Sequence, residues 1–321
     1  MIPEDLHVIG ATTDGRLWYT LRFEEPTGSP WQRFDDVKQK AGDARDVGSF
    51  VDVDCAREFG NIDDPQGILH VVGATGDGRL WYTVRKAVTH GWTPFRAREL
   101  SAAGPGPFLR AAVTTARQAN RVEVVVAGVT ADGALWVTTR KSGNEFHPFT
   151  RMAPPPTGGD PTFRAVTLAA VTGDEVKTHL AAVTGDGHLW HTVGRPGHWP
   201  ALQDVELTAA GDKPGDLTDV ACADDLDMGA VSGDGHVWHT TREASTAWTR
   251  FTDPEAAKNV GTFTRIGVTQ IQSGLHICGI TSDGKLWHTL RTGVPGAKFG
   301  DVKGVIHTPR DVGSFQAVAC A

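Results

Sequence analysis

The side chains best suited to chemistry in this 321-residue chain are aromatic, basic and imidazole groups that return at fixed places in a repeat. Tyr19, Tyr82, Val137, His191, His239 and His288 each directly follow a tryptophan of that repeat. Four residues after the same tryptophans stand Arg22, Arg85, Arg140, Arg242 and Arg291, with Gly194 in the fourth copy. Further along, Trp31, Trp92, Trp199 and Trp248 open a last segment, as Trp-x-x-Phe in three copies; Phe146 and Gly296 take their place in the other two. An aromatic face packs well on the apolar C–H face of a sugar ring. A guanidinium hydrogen-bonds ligand hydroxyls or carboxylates, or ties neighbouring elements together by stacking and ion pairs. Both uses are open for these residues; the outer tryptophans, on an edge element, are the better candidates for stacking on a ligand.

The histidines also suggest a metal. Equivalent points on neighbouring blades of a sixfold ring are separated by the ring radius, on the order of 15 Å for a third strand, whereas zinc needs ligands about 2.1 Å from one centre. A shared site of His191, His239 and His288 is therefore not expected, and no metal or cofactor is assigned. His7, His70, His179 and His276 share a different place in the repeat, where a hydrogen-bonded structural histidine is expected.

The elements that must position these groups follow from the phrase Thr/Ser-x-Asp-Gly-x-Leu/Val-Trp. It occurs six times, at Thr12–Trp18, Thr75–Trp81, Thr130–Trp136, Thr184–Trp190, Ser232–Trp238 and Thr281–Trp287, with the Asp-Gly pairs 48 to 63 residues apart. A period near fifty, with turn glycines, tryptophan and β-branched runs, predicts propeller blades. Each repeat reads as four strands: a short strand ending in small residues, a largely apolar strand, the Leu-Trp strand and the outer Trp strand. A three-residue x-Asp-Gly loop would place Gly in the left-handed position of a type I turn plus bulge. It would also set Gly10, Gly73, Gly128, Ala182, Ala230 and Gly279, all small, opposite the motif tryptophans.

Closure is legible as well. Residues 311–321 echo 46–56, and the chain starts in a second strand, so the C-terminal strand should complete the N-terminal blade and hide the sheet edges. The prediction is an all-β protein, one six-bladed β-propeller over 1–321 with four-stranded antiparallel blades. The blades run roughly 311–321 with 6–37, then 48–97, 106–151, 161–205, 215–253 and 261–302.

Only the axis brings different blades together. The third residue of each innermost strand runs Asp52, Arg110, Ala165, Asp219, Arg265, Ala317, predicting two Asp–Arg neighbour pairs, with Asp54 as a further carboxylate. These five charged residues are the catalytic candidates if the chain is an enzyme, together with the loops 38–48, 97–107, 151–161, 206–215, 252–261 and 303–313. No nucleophile–base pair or carboxylate dyad is recognisable from spacing.

Composition narrows the partners. A net charge of −7 without a basic run gives no support for nucleic-acid binding. No apolar stretch is long enough to span a membrane. The N-terminus lacks the basic start and apolar core of a signal peptide, so a cytoplasmic location, or release without one, is expected. Cys55, Cys222 and Cys320 share one position in three repeats and are expected to be buried free thiols.

On its short Val/Ala-rich strand, apolar strand, Asp-Gly-x-Leu-Trp-His phrase and Trp strand, the chain resembles the tectonin group and the Photorhabdus-type fucose-binding lectins. The resemblance spans nearly the whole chain. It implies sugar binding in shallow sites between blades, with aromatic rings stacked on the pyranose. The phrase is also similar to the sialidase Asp-box but lacks one residue between Asp and Gly, and no arginine triad can be assigned, so no sialidase activity is inferred. The unequal residues noted above imply two to four working sites. The first expectation is a non-enzymatic lectin-like propeller whose partner is a glycan or other small polar ligand. The alternatives are an enzyme of a bacterial pathway (lyase, cyclase or hydrolase) using an axial pocket, and a protein-interaction scaffold. Oligomeric state is not legible.

Overall fold

The computed structural model describes the chain apart from residues 1–4, 24–29, 44–45, 59–66, 87–88, 90, 96–99, 101–103, 119–120, 143–144, 157–159, 172–176, 196, 210–213, 224–225, 243–246, 254–259, 272–273, 292–297 and 303–311. Six antiparallel sheets form the blades of a six-bladed β-propeller. In blade 1 the order from the axis outward is Phe315–Cys320, Leu6–Thr12, Leu17–Arg22 and Asp35–Asp36. The C-terminal strand thus closes the N-terminal blade, with Ala319 opposite Ile9 and reciprocal backbone hydrogen bonds of 2.9 and 3.0 Å between His7 and Ala321. The innermost strands of blades 2 to 6 are Phe50–Glu58, Phe108–Gln118, Phe163–Ala170, Leu217–Cys222 and Phe263–Ile271.

The Asp-Gly turn forms as the residue types require. Gly15, Gly78, Gly133, Gly187, Gly235 and Gly284 all adopt φ between 77° and 87°, the left-handed region that glycine enters at no steric cost. The Thr or Ser hydroxyl donates to the Asp carboxylate at 2.5–2.6 Å in every copy. This turn also fastens neighbouring blades. The amide of Thr13 donates to Ser314 of its own blade, while the Gly15 carbonyl accepts from Phe50 of the next. The same two-sided pattern returns in all six copies, ending with Phe315 donating to Gly284 at 2.9 Å. A Cβ added at Gly78 would lie 2.3 Å from Pro107 Cβ of the next blade, so close approach as well as φ demands glycine here.

Packing follows the same logic. The motif tryptophans lie opposite Gly10, Gly73, Gly128, Ala182, Ala230 and Gly279. At Gly73 a Cβ would fall 2.7 Å from the Phe50 ring, so the small residue makes room for the innermost strand's phenylalanine too. Second strands such as Leu6–Thr12 and Thr178–Thr184 are buried throughout because both faces meet another blade. The core therefore lies between blades: one cluster joins Ile9, Leu17 and Tyr19 of blade 1 to Phe50, Val53 and Trp81 of blade 2.

The outer strand departs from the expectation of four full strands per blade. Trp31, Trp92 and Trp248 make isolated bridges to Arg22, Arg85 and Arg242, and the described ladders of blades 2 and 5 hold three strands. In blades 1, 4 and 6 the ladder resumes for two residues, at Asp35–Asp36, Gln203–Asp204 and Gly300–Asp301. The aspartate then caps a short helix where Asp36 accepts from the Gln39 amide and Asp204 from the Leu207 amide.

Candidate functional site

Two regions gather the candidate residues: the clefts between blades and the axis. In the cleft between blades 1 and 2, the Tyr19 hydroxyl lies 2.8 Å from His7 Nδ1. The Trp92 ring of blade 2 meets Tyr19 edge-on at 5.5 Å, and the Arg85 guanidinium stacks over Tyr19 at 4.8 Å. Between blades 4 and 5, Trp248 meets His191 edge-on at 5.2 Å, and His191 Nε2 is 3.0 Å from His179 Nδ1. Between blades 6 and 1, Trp31 meets His288 at 5.3 Å, and His288 Nε2 is 2.9 Å from His276 Nδ1. Arg242 and Arg22, half-buried, flank these two clefts and act electrostatically on their histidines.

The other three clefts are built differently. Tyr82 meets Phe146 at 5.2 Å and bonds His70, which in turn contacts Glu58 at 2.9 Å. In the next cleft Val137 offers no polar group, and Trp199 packs against the apolar cluster around it. There Gly194 is explained, because a Cβ would lie 2.3 Å from the Trp199 ring: the indole covers the place an arginine holds elsewhere. Between blades 5 and 6, Arg291 Nη1 donates to His239 Nδ1 at 2.7 Å, leaving His239 Nε2–H to donate to Asp227 at 2.8 Å. Gly296, assigned from sequence to the aromatic place in this cleft, lies outside the described residues.

Five imidazoles, His7, His179, His191, His276 and His288, are held neutral. Burial, then the charges of Arg57 and Arg85, lowers His7 to about 3. Burial lowers His179 and His276 to about 4 and, with His179 beside it, His191 to about 3. His288 is pushed well down by burial, then by His276. Each His–His pair thus works as a neutral donor and acceptor, since two buried cations side by side would be strongly disfavoured. Sequence placed these aromatic and imidazole positions but not their pairing, because His7 and Tyr19 meet diagonally across the ladder. Tyr19, Tyr82 and the three histidines lie at the cleft floors, whereas Trp92 and Trp199 are partly exposed.

At the axis, Asp52, Asp54, Arg110, Asp219 and Arg265 all line one cavity of about 60 Å³. Arg110 pairs with Asp52 at 3.4 Å, and Asp52 accepts the Ala111 amide at 2.9 Å. Across the ring Asp219 accepts the Ile266 amide at 2.9 Å, and the charges of Arg265 and Arg110 act on its carboxylate. Burial raises Asp219 and lifts Asp54 to about 7 against its bond from the Val113 amide. The space suits one or two waters. Of the loops read as feeding an axial site, residues 44–45, 97–99, 101–103, 157–159, 210–213, 254–259 and 303–311 lie outside the described residues. Among the described residues no group of three or more His, Cys, Asp or Glu is placed to hold a metal ion. All four cysteines are buried and unpaired by disulfides.

Six antiparallel blades, closed into a ring by the C-terminal strand, define the class of fold. No family model and no curated protein matches the chain. Solved structures do. The Aleuria aurantia lectin, a six-bladed β-propeller described by its fucose recognition, superposes with a TM-score of 0.62 at 10% identity, over 96% of this chain and 93% of that one. AofleA from Arthrobotrys oligospora gives 0.59 at 12% identity over 100% and 89%. The BP39L lectin from Burkholderia pseudomallei gives 0.59 at 16% identity over 92% and 81%. At these identities the likeness shows the fold: the chain is built as these six-bladed propellers are. No helix is long and apolar enough to cross a membrane among the described residues.

Proposed function

We propose that this chain is a carbohydrate-binding propeller whose sites are the clefts between blades 1 and 2, 4 and 5, and 6 and 1. The observation that carries this reading is the recurring trio in those clefts. Each has a Tyr or His of one blade, a Trp of the next meeting it edge-on, and an Arg of that next blade alongside. Such a trio offers a sugar an apolar ring edge and charged or neutral donors at a protected floor. The cleft with Phe146 and the cleft with Val137 and Gly194 lack part of the set, and between blades 5 and 6 Arg291 is engaged by His239 itself, which limits the count to three. Kinship with the tectonin and Photorhabdus-type lectins belongs to this proposal, and fucosylated glycans are its first ligands, since the Aleuria lectin is described by fucose recognition.

An enzyme working from the axial charges has less support. The space beside Asp52, Asp54 and Asp219 is about 60 Å³, well below the roughly 300 Å³ at which ligand pockets begin. A glycan array at neutral pH, followed by titration of the best hit, tests the lectin reading. Binding of one glycan class in the micromolar to millimolar range supports it, and silence across diverse glycans removes it.

A further inference from the structure

The outer aromatics come as Trp-x-x-Phe, a spacing of three that a regular strand would send to opposite faces, because its side chains alternate. Here both rings go to one face. Trp31 and Phe34 share one buried cluster, Trp248 and Phe251 another, and Trp92 packs against the cluster that holds Phe95. The register explains this. In blade 1 Arg22 faces Trp31 and Tyr19 faces Asp35, so Thr20 and Leu21 stand against Gln32, Arg33 and Phe34. In blade 5 Arg242 faces Trp248 and His239 faces Thr252, which sets Thr240 and Thr241 against Thr249, Arg250 and Phe251. Blade 3 repeats the step with Phe146 facing Arg140 and Thr150 facing Val137. The extra residue on the outer strand is a β-bulge, a device that re-aims side chains on the bulged strand.

A bulge takes a backbone carbonyl out of the ladder, and the same hydroxyl meets it in blade after blade. The threonine two residues after the motif tryptophan donates to the carbonyl of the residue that follows the outer aromatic. Thr20 reaches Gln32 at 2.6 Å, Thr83 reaches Thr93 at 2.5 Å, Thr138 reaches His147 at 2.5 Å and Thr240 reaches Thr249 at 2.8 Å. Beside Trp199, Thr192 does the same to Pro200 at 3.1 Å. Blades 2 and 5 add a second hydroxyl: Thr93 accepts from the Val84 amide at 3.1 Å and Thr249 from the Thr241 amide at 2.9 Å. In the sixth copy the aromatic place holds Gly296, and the buried Thr289 hydroxyl has no partner among the described residues. The bond is present in each blade that carries the aromatic.

We infer that Thr20, Thr83 and Thr240 are positioning residues of the three proposed sugar clefts: their hydroxyls hold the bulges that set Trp31, Trp92 and Trp248 against the neighbouring blade. The inference rests on the lectin reading for its consequence and on the bulge geometry for its cause. All three threonines are buried and spend their hydroxyls on these carbonyls, so they act through the tryptophan and not on the ligand. Valine would fill the same space and leave the carbonyl without its donor, whereas serine would keep the bond.

Fluorine NMR of the full chain labelled with fluorotryptophan tests this without any ligand. The Trp92 resonance is identified by its loss in Trp92→Phe. In Thr83→Val it should move toward the position of free fluorotryptophan and narrow, while the Trp31 and Trp248 resonances stay in place; Thr83→Ser should leave all three unchanged. Titration with the best array glycan then reads the consequence. Thr83→Val should weaken one of the three sites about fivefold or more and spare the other two, and Thr83→Ser should stay within about twofold of the parent at every site. An unmoved Trp92 resonance in folded Thr83→Val, a serine variant that behaves like the valine one, or equal affinities at all three sites would overturn the inference. The same pair of substitutions at Thr240, read at Trp248, decides the matter if Thr83→Val does not fold. Absence of glycan binding by the parent chain removes the lectin reading alone, because the resonance still reports whether the threonine holds the ring.

Discussion

The six Asp-Gly turns and the six clefts lie between the same pairs of blades, yet one set is uniform and the other is not. Every turn repeats the same hydroxyl–carboxylate bond, the same glycine φ and the same two backbone bonds to neighbouring innermost strands. The clefts hold Tyr–His, His–His, Val–Trp and His–Asp–Arg arrangements in turn. Uniformity marks what each blade needs to stay fastened to the next. Diversity marks positions released from that duty, and these are the positions to which the proposed sugar sites are assigned.

The comparison breaks most visibly at a turn glycine. Gly78→Val adds a left-handed penalty of about 1–2 kcal/mol and overpacks Pro107 by roughly 1–3 kcal/mol. A loss of about 3 kcal/mol or more is expected in urea unfolding; a change within 0.5 kcal/mol, the usual scatter of about that size for surface sites, would show that the turn does not clamp the blades.

Acid should act on the clefts before the turns. The neutral imidazoles of His7, His179, His191, His276 and His288 take up protons only at depressed pH, whereas the unfolded chain takes them up near 6.5. Stability from these groups is therefore level above pH 6.5 and falls as the pH drops toward 4 and 3. His191→Tyr, which copies the Tyr19 arrangement, should flatten that fall in a pH series of denaturant midpoints. An unchanged slope would count against the neutral pair.

Asp54 has the opposite sign. Its raised value of about 7 means that the folded chain holds this proton longer, so its contribution declines from about pH 4 and is lost above 7. Asp54→Asn should gain stability relative to the parent as the pH rises from 4 to 8, read by thermal melts; a constant difference would contradict the buried setting of this carboxyl.

The smallest effect isolates the φ term. Gly42 has φ +75° with nothing within 4 Å of an added Cβ, so Gly42→Ala should cost only about 1–2 kcal/mol. A cost equal to that of Gly78→Val would mean that contact with the next blade adds nothing.

Much of the fold was legible because it is local. The Thr-x-Asp-Gly-x-Leu-Trp phrase sets a turn within five residues, and its register puts Gly10 opposite Trp18 without help from elsewhere. The echo of 46–56 in 311–321 gave the closure for the same reason, since strands in equal settings carry equal residues. Of the two axial Asp–Arg pairs that the alternation predicts, Asp52 meets Arg110 at 3.4 Å, whereas Arg265 donates to the Thr264 carbonyl. What escaped was contact between blades. Nothing in the sequence says that Gly15 must face Ser49, that Trp199 lies across Gly194, or that the Asp-Val pair at Asp36 caps a helical turn after a broken ladder. The candidate site was legible as a list of residues and not as an assembly, because Tyr19 and Trp92 are brought together only by the packing of one blade on the next.

The central claim is that ligand chemistry belongs to three complete clefts, and a count of sites tests it most directly. Calorimetric titration of the best array glycan should give a stoichiometry of three for the parent chain. Trp92→Ala, which strips the half-buried ring from the cleft between blades 1 and 2 alone, should reduce it to two with the affinity of the rest unchanged. A stoichiometry unaltered by Trp92→Ala in a folded protein would contradict the claim and move the site elsewhere.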